Sequence, residues 1–218
     1  GTGMKERTSR LTDGFFARHE AFGAIKTEIL GACGLLLDAF RQGGKLLACG
    51  NGGSCADADH IVGELMKGFL LRRPLPEAER AAFAERFGGE GAAIAAKLQG
   101  GLPAVSLCAH AALMSAFEND VDPALVYAQQ AYAYARPGDV FLGLSTSGNA
   151  ENVRAAAMAA KIRGAKVIAL TGEGGGKLAP LADCAVRAPE RETYRVQECH
   201  LAIYHFLCAY VESELFDE

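Results

Sequence analysis

Two loops rich in small residues, each followed by a helical pattern, are the segments best suited to chemistry. Residues 50–54 read GNGGS, and residues 145–149 read STSGN. Backbone N–H groups at a helix start attract anions, and serine and threonine hydroxyls are further donors. The alternative is a tight turn at the first loop and simple helix capping at the second, although one hydroxyl suffices for a cap. Neither loop contains lysine or arginine, so we predict a phosphate site of backbone and neutral side-chain donors.

A second group of residues has the chemistry of an acid/base pair or a metal site. His60 and Glu64 lie four residues apart, on one face of the helix predicted after residues 50–54. Gln197 and His205 lie two turns apart on the last predicted helix, within about 80° of each other around its axis. Such a set can bind Zn²⁺ or a similar cation, and Glu64 with His205 could equally act without metal. Ordinary surface residues are the alternative, because spacing does not show that the two helices meet.

The elements that must position these residues alternate between strand and helix. Apolar runs predict short strands over residues 46–49, 104–108, 140–144, 166–170 and 184–187. Strands that are almost wholly apolar are typical of a parallel sheet covered on both faces. We therefore predict an α/β fold with a doubly wound, mainly parallel five-stranded sheet flanked by helices. Ligands of such sheets bind beyond the carboxyl ends of the strands, where both loops lie.

The length of 218 residues fits a single domain, residues 1–218, rather than two. An N-terminal helical segment over about residues 8–43 is rich in apolar residues, which suits either an oligomer interface or a plain cover for the sheet. The helix after the first loop is predicted to reach about Leu71. Residues 77–101 form a predicted insertion or lid with two short helices, and a final amphipathic helix covers residues 192–215.

Composition excludes several classes of protein. The chain has 22 basic and 26 acidic residues without a basic block, so nucleic acid is not an expected partner. No apolar run reaches transmembrane length and the start does not resemble a signal peptide, so no membrane partner is expected. The seven cysteines fit no zinc or redox motif, and Cys55 beside the first loop lacks an activating neighbour. Reduced thiols predict a cytoplasmic protein.

The chemical motifs together resemble a known family. They occur in this order: GNGGS, His60 with Glu64, the pair Asn119 and Asp120, STSGN, and Gln197 with His205. This combination is similar to the sugar isomerase (SIS) domain of the phosphoheptose isomerases, from about Phe40 to the C-terminus with the insertion as an interruption. The resemblance implies a SIS fold and a homotetramer with active sites at subunit interfaces. It also implies isomerisation of sedoheptulose 7-phosphate to D-glycero-D-manno-heptose 7-phosphate through an enediol, in bacterial heptose biosynthesis.

The resemblance further implies a role for each matched residue. Glu64 would be the base that moves a proton between C1 and C2, and His205 would be the second acid/base. One Zn²⁺ per subunit, where the metal is present, would be held by His60, Glu64, Gln197 and His205. Asp120 would contact the sugar. The full set implied to bind the substrate and its phosphate is Asn51, Gly52, Gly53, Ser54, Asp120, Ser145, Thr146, Ser147 and Gln197.

Two departures from the family pattern bear on the substrate. Ala150 stands where a serine usually follows STSGN, so one phosphate hydroxyl is absent. The sequence LMKGFLLRRP after Glu64 replaces a frequent Gly-Arg pair, which leaves Lys67, Arg72 or Arg73 to contact the far end of the sugar. Two alternatives follow: an isomerase of a different ketose phosphate, and a non-catalytic SIS protein that binds a protein partner. Retention of both Glu64 and His205 argues against the second.

Overall fold

Five short strands form one sheet, in the order β2-β1-β3-β4-β5. The strands are β1 (Leu46–Cys49), β2 (Ala104–Ser106), β3 (Val140–Leu144), β4 (Lys166–Thr171) and β5 (Cys184–Arg187). The computed structural model describes residues 3–217, so residues 1, 2 and 218 of the predicted domain lie outside the described part. All neighbouring strands are parallel, which confirms the predicted doubly wound α/β fold. β2 ends two residues earlier than predicted.

The apolar strands are explained by a core on each face of the sheet. Along β1, Leu46 and Ala48 belong to one core, whereas Leu47 and Cys49 belong to the other. Successive strand side chains point to opposite faces, so a strand covered on both sides is apolar at every position. All residues of β1 and β3 are buried accordingly.

Helices pack on both faces of the sheet. Within residues 3–217 the α-helices are α1 (Glu6–Arg18), α2 (Lys26–Arg41), α3 (Gly53–Met66), α4 (Glu77–Ala95), α5 (Ala111–Asp120), α6 (Val126–Tyr134), α7 (Glu151–Ile162) and α8 (Thr193–Leu215). The first core is completed by α1, α2, α3 and α8, and the second by α6 and α7. None of the described helices has the length and apolar character needed to cross a bilayer.

The N-terminal helical segment is broken, whereas the sequence predicted an uninterrupted helix over residues 8–43. α1 ends at Arg18, a 3₁₀ helix covers Glu20–Ile25, and α2 follows. A straight helix of this length would extend about 54 Å, far beyond the sheet that it covers. The turn at His19 instead lets Phe15 stack on Phe206 of α8, with ring centroids 4.3 Å apart.

The helix after the first loop also ends earlier than predicted, at Met66 instead of about Leu71. The next residues wrap around the buried carboxylate of Glu212 on α8. That carboxylate accepts the backbone N–H groups of Phe69, Leu70 and Leu71 at 2.7–2.9 Å, together with Nε of Arg73 at 2.7 Å. A helix continuing to Leu71 would bond these N–H groups internally, so the distant carboxylate ends it.

The predicted insertion, residues 77–101, begins and ends at neighbouring positions in the fold. Helix α4 bends at Gly88, where φ is +61°, so it consists of two short helical stretches as predicted. At its base the N–H of Gly100 donates to the carbonyl of Arg73 at 2.7 Å, and Pro74 pairs with Gln99 in an isolated antiparallel bridge. The two ends of the insertion are therefore joined to each other.

His200 is a wholly buried histidine of α8 that the sequence did not single out. Its Nε2 lies 2.9 Å from the carbonyl oxygen of Thr171, and a carbonyl only accepts, so Nε2 carries the proton. Its Nδ1 is buried and has no hydrogen-bond partner among the described residues. Burial lowers the pKa of His200 to about 4, while the hydrogen bond to Thr171 acts in the opposite direction. The folded protein therefore keeps this imidazole neutral.

Stability is expected to fall in mild acid because of His200. Its folded pKa lies below the unfolded value of about 6.5, so the unfolded chain binds the proton first as the pH falls. The stability held by the neutral imidazole is complete above about pH 6.5 and about 3 kcal/mol of it is lost by about pH 4. Urea unfolding at one protein concentration, with a chelator present, should show this extra loss relative to His200→Gln. Parallel pH profiles for the two proteins would contradict it.

Candidate active site

The two predicted phosphate loops lie side by side at the carboxyl edge of the sheet. They follow β1 and β3, which are neighbours even though β2 comes between them in the chain. Ligands bind at this kind of reversal of strand order in doubly wound sheets. The side chains of Asn51 and Asn152 exchange two hydrogen bonds of 2.9 Å, which join the first loop to the first turn of α7. Asn152 was not indicated by the sequence, because an asparagine inside a helical pattern carries no distinctive signal.

The first loop is built for close approach. Gly52 has φ +56°, and a Cβ on Gly50 would lie 2.7 Å from Cβ of Ser54. The hydroxyl of Tyr127 donates to the carbonyl of Gly50 at 2.7 Å, and this hydrogen bond stabilises the turn. Helix α3 has no side-chain cap at its start, so its first N–H groups and its dipole suit an anion.

In the second loop the serine hydroxyl oxygens accept hydrogen bonds from the backbone of the loop itself. Oγ of Ser145 accepts from the N–H groups of Gly148 and Ala150 at 3.1 and 3.4 Å, and Oγ of Ser147 accepts from Asn149 at 3.1 Å. Neither serine caps α7, which begins at Glu151 without a side-chain cap, so the capping alternative is wrong and these oxygens stabilise the loop instead. A hydroxyl also has one proton to donate, so the same serines retain a donor for a phosphate oxygen.

The loop after β4 supports the second phosphate loop. The backbone of Gly148 packs directly on Gly175 and Gly176: a Cβ on Gly148 would clash with the backbone of Gly175, and a Cβ on Gly176 would clash with the backbone of Gly148. The N–H of Leu178 donates to the carbonyl of Gly148 at 2.9 Å, and the N–H of Lys177 donates to Oδ1 of Asn149 at 3.0 Å. These contacts hold residues 145–149 in place before any ligand binds.

His60, Glu64 and His205, called the His–Glu–His trio below, come together between α3 and α8. One ligand atom from each lies within 4.8 Å of the others. Nε2 of His60 faces Nε2 of His205 at 3.4 Å. His60 is exposed, and the other two side chains are half-buried. The meeting of the two helices, which spacing left open, occurs within one chain.

The trio has a polar support that the sequence did not predict. The hydroxyl of Tyr204 donates to Oδ1 of Asp57 at 2.8 Å, and its oxygen lies 3.0 Å from Nδ1 of His60. Both residues carried a weak signal, since Asp57 precedes His60 by one helical turn and Tyr204 precedes His205 directly. Neither type is diagnostic without knowledge that α3 packs beside α8.

Burial shifts the pKa values of His205 and Asp57 in opposite directions. The pKa of His205 is lowered, first by burial and then by the neighbouring His60, while Glu64 and Asp57 act to raise it. Burial raises the pKa of Asp57, while the Tyr204 hydrogen bond and the two histidines oppose that rise. A lowered pKa keeps His205 neutral near pH 7, with a lone pair for a proton or a metal ion.

Two predicted residues, Gln197 and Asp120, are not part of the trio. The side-chain amide of Gln197 contacts Gly53, where an added Cβ would lie 2.7 Å from Nε2. Gln197 precedes His205 by two turns, about 12 Å along α8, so its role as a metal ligand stays a prediction. Asp120 is exposed at the end of α5 and accepts a hydrogen bond from Asn119 at 3.0 Å. Its contact with the sugar also stays a prediction.

Arg73 is removed from the candidates for the far end of the substrate. Its side chain is 0% exposed and paired with Glu212. Lys67 and Arg72 are exposed on the same segment and remain the candidates.

Known proteins that are similar to this chain belong to the family that its motifs resemble. The sequence profile of the SIS domain family matches residues 17–99 and 80–172. A phosphoheptose isomerase of Rhodospirillum rubrum is 38% identical over 193 residues, which cover 88% of this chain and 89% of that relative. The phosphoheptose isomerase of Geobacter sp. strain M21 is 37% identical over 194 residues, covering 89% and 88%.

The chain belongs to the phosphoheptose isomerase family. Solved structures of phosphoheptose isomerases share its fold. One from Neisseria gonorrhoeae is 33% identical with a TM-score of 0.72, and the match covers 95% of this chain and 98% of that one. One from Francisella tularensis is 29% identical with a TM-score of 0.73, covering 94% and 96%. The resemblance read from the motifs is therefore confirmed over nearly the whole chain.

The cysteines of this phosphoheptose isomerase family member are free thiols. Cys55 lies next to Ser54 of the first loop, and its pKa is raised to about 12, chiefly by burial. A thiol that stays protonated is a weak nucleophile, which agrees with the expectation that Cys55 is not catalytic.

Proposed function

We propose that the chain interconverts sedoheptulose 7-phosphate and D-glycero-D-manno-heptose 7-phosphate through an enediol. One observation carries the proposal: α3 begins at a phosphate-type loop and later places Glu64 against His205 of α8. Anion site, base and second acid/base are thus attached to one rigid helix pair. This arrangement occurs in a chain that aligns with phosphoheptose isomerases along most of its length.

The spacing along α3 supports a long substrate. Glu64 follows Ser54 by ten residues, which is about 15 Å along the helix axis. Helical side chains lean toward the N-terminus, so the carboxylate reaches part of the way back. A phosphosugar held by the two loops must be extended for C1 and C2 to meet Glu64. This favours a seven-carbon over a five-carbon sugar phosphate.

Glu64 and His205 would divide the proton transfers. The carboxylate of Glu64 removes a proton from C1 of the ketose, which gives the enediol, and returns it to C2. The neutral imidazole of His205 can accept the proton of the C1 hydroxyl and deliver it to the C2 oxygen, which returns the imidazole to its neutral form. The phosphate loops keep the substrate in place during both transfers. In this scheme the aldose and the ketose differ only in where these protons lie.

The residues of the trio fit a zinc ion. Imidazole nitrogens and a carboxylate oxygen are ordinary zinc ligands, and the three donor atoms already lie within 4.8 Å of one another. We propose that His60, Glu64 and His205 would hold one Zn²⁺ per subunit, with Gln197 as the fourth predicted ligand. When bound, the ion would polarise substrate oxygens.

We also propose a homotetramer with its active sites at subunit interfaces, and one SIS domain over residues 1–218. A groove of about 250 Å³ opens beside His205, between α1 and α8. It is lined mainly by apolar side chains, including Leu11, Phe15, Phe69 and Phe206. An apolar groove that adjoins the trio supports burial by a neighbouring subunit. The free thiols support a cytoplasmic location.

A coupled assay across five- to seven-carbon ketose phosphates, with and without chelator, tests the proposal. We expect the highest kcat/KM for sedoheptulose 7-phosphate, and a loss of rate with chelator if zinc is bound. A higher kcat/KM for a shorter ketose phosphate would favour the alternative isomerase. Turnover of no sugar phosphate, with tight binding to a protein, would favour the non-catalytic alternative.

A further inference from the structure

A chain of hydrogen bonds leads from a half-buried carboxylate to the outer histidine of the trio. Tyr204 is 1% exposed, and its hydroxyl lies between Asp57 at 2.8 Å and Nδ1 of His60 at 3.0 Å. The second oxygen of Asp57, Oδ2, is buried and has no hydrogen-bond partner among the described residues. Within residues 3–217 this chain of hydrogen bonds therefore has no branch, and it leads to His60.

The number of protons fixes the direction of this chain. An ionised carboxylate only accepts, so the single proton of the Tyr204 hydroxyl is donated to Asp57. The phenol oxygen then has only lone pairs to offer His60. Nδ1 of His60 must supply the proton of that contact. A neutral imidazole has one N–H, so Nε2 is left with a lone pair, and Nε2 is the atom that faces His205.

We propose that Asp57 and Tyr204 are positioning residues that hold His60 in its Nδ1-protonated form, with the Nε2 lone pair directed into the trio. A metal-binding histidine commonly has its other ring nitrogen fixed by a hydrogen bond in this way. Here the fixing group is a phenol from the neighbouring helix, backed by a carboxylate one turn before the histidine. The inference rests on the proposed function for the use of the trio, but the tautomer itself is defined without substrate.

The reverse arrangement would disable His60. If Asp57 donated to Tyr204, the phenol would donate to Nδ1 and the remaining proton of the imidazole would lie on Nε2. That proton would occupy the position of a metal ion or a proton to be accepted. The Tyr204 hydroxyl donates to Oδ1 of Asp57 at 2.8 Å, and this hydrogen bond opposes the rise in the pKa of Asp57 that burial causes, which favours the first arrangement.

Nitrogen-15 NMR of the metal-free full chain, labelled in histidine, measures the tautomer directly. The spectra are recorded at about pH 8, and His60→Gln identifies the signals of His60. We expect Nδ1–H in the wild type and a shift toward Nε2–H, the form that free histidine favours, in Tyr204→Phe. Zinc titration against a chromophoric chelator should show about 10–100-fold weaker binding in that variant.

Tyr210→Phe is the matched control, because Tyr210 is a buried tyrosine of the same helix that lies outside the hydrogen-bond chain. It should leave both the tautomer and the zinc affinity unchanged. Nε2–H in the wild type, or an unchanged tautomer and zinc affinity in Tyr204→Phe, would overturn the proposal. If Tyr204→Phe does not fold, the wild-type tautomer still decides. Neither readout involves a sugar phosphate, so a chain without isomerase activity can still pass or fail this test.

Discussion

Replacing Glu64 with glutamine is expected to lower kcat for sedoheptulose 7-phosphate by about 10²–10⁴-fold, the usual contribution of a general base. An amide has nearly the same shape as a carboxylate, but it cannot accept the proton that leaves C1. The first phosphate loop lies about two to three helical turns away, at the start of α3. KM is therefore expected to change much less than kcat.

The coupled assay with saturating zinc measures this loss. Saturating metal separates the base from the ligand role, since Glu64 is proposed to have both. Glu85→Gln is a suitable control, because Glu85 is an exposed glutamate of α4. Equal kcat in Glu64→Gln and wild type would show that another group is the base, and would sink the proposed mechanism while leaving the family membership intact.

Replacing Arg73 with methionine is expected to lower the free energy of unfolding by about 3–5 kcal/mol. The Arg73–Glu212 pair is almost fully buried, with side-chain exposures of 0% and 1% and a distance of 2.7 Å from Nε to Oε2. Arg73 also donates to the carbonyls of Leu65 and Glu64 at 2.7 and 3.1 Å. Methionine fills similar space but leaves the Glu212 charge in the interior without its cation.

Urea unfolding at one protein concentration measures the effect of Arg73→Met. The exposed pair Arg191–Glu173 has the same distance of 2.7 Å, and Arg191→Met should leave stability nearly unchanged. The double variant Arg73→Met with Glu212→Gln should lose less than the sum of the two single losses, because the unpaired charge is gone. Similar losses in Arg73→Met and Arg191→Met would refute a special role for the buried pair.

The sheet could be predicted because its cause is local. A strand buried on both faces must be apolar at each position, so β1, β3 and β5 were placed within their observed bounds from composition alone. The end of α3 could not be predicted in this way. It depends on Glu212, which lies more than 140 residues further along the chain than the N–H groups that it binds.

The candidate site also combines features that the local sequence predicts with features that depend on distant residues. His60 and Glu64 share a helix face by spacing, and the glycine and hydroxyl loops are recognisable as runs of sequence. The contact of His60 and Glu64 with His205 depends on how α8 packs beside α3. The sequence pattern of a single helix carries no information about that packing. Asp57, Tyr204 and Asn152 escaped notice for this reason, since each matters only through a partner about 100 or more residues away.

The chain is hydrogen-bonded to itself where residues 77–101 begin and end, so this segment can change independently of the rest of the fold. Its ends meet through Gly100 and the carbonyl of Arg73, and the same arginine holds the last carbonyls of α3 from the other side. We therefore expect changes in the length of α4 to leave this hydrogen-bonded base, and with it the position of Glu64, unchanged. Because closing a longer loop adds only a small entropic cost, this segment can vary in length while the pair of helices α3 and α8 keeps its geometry.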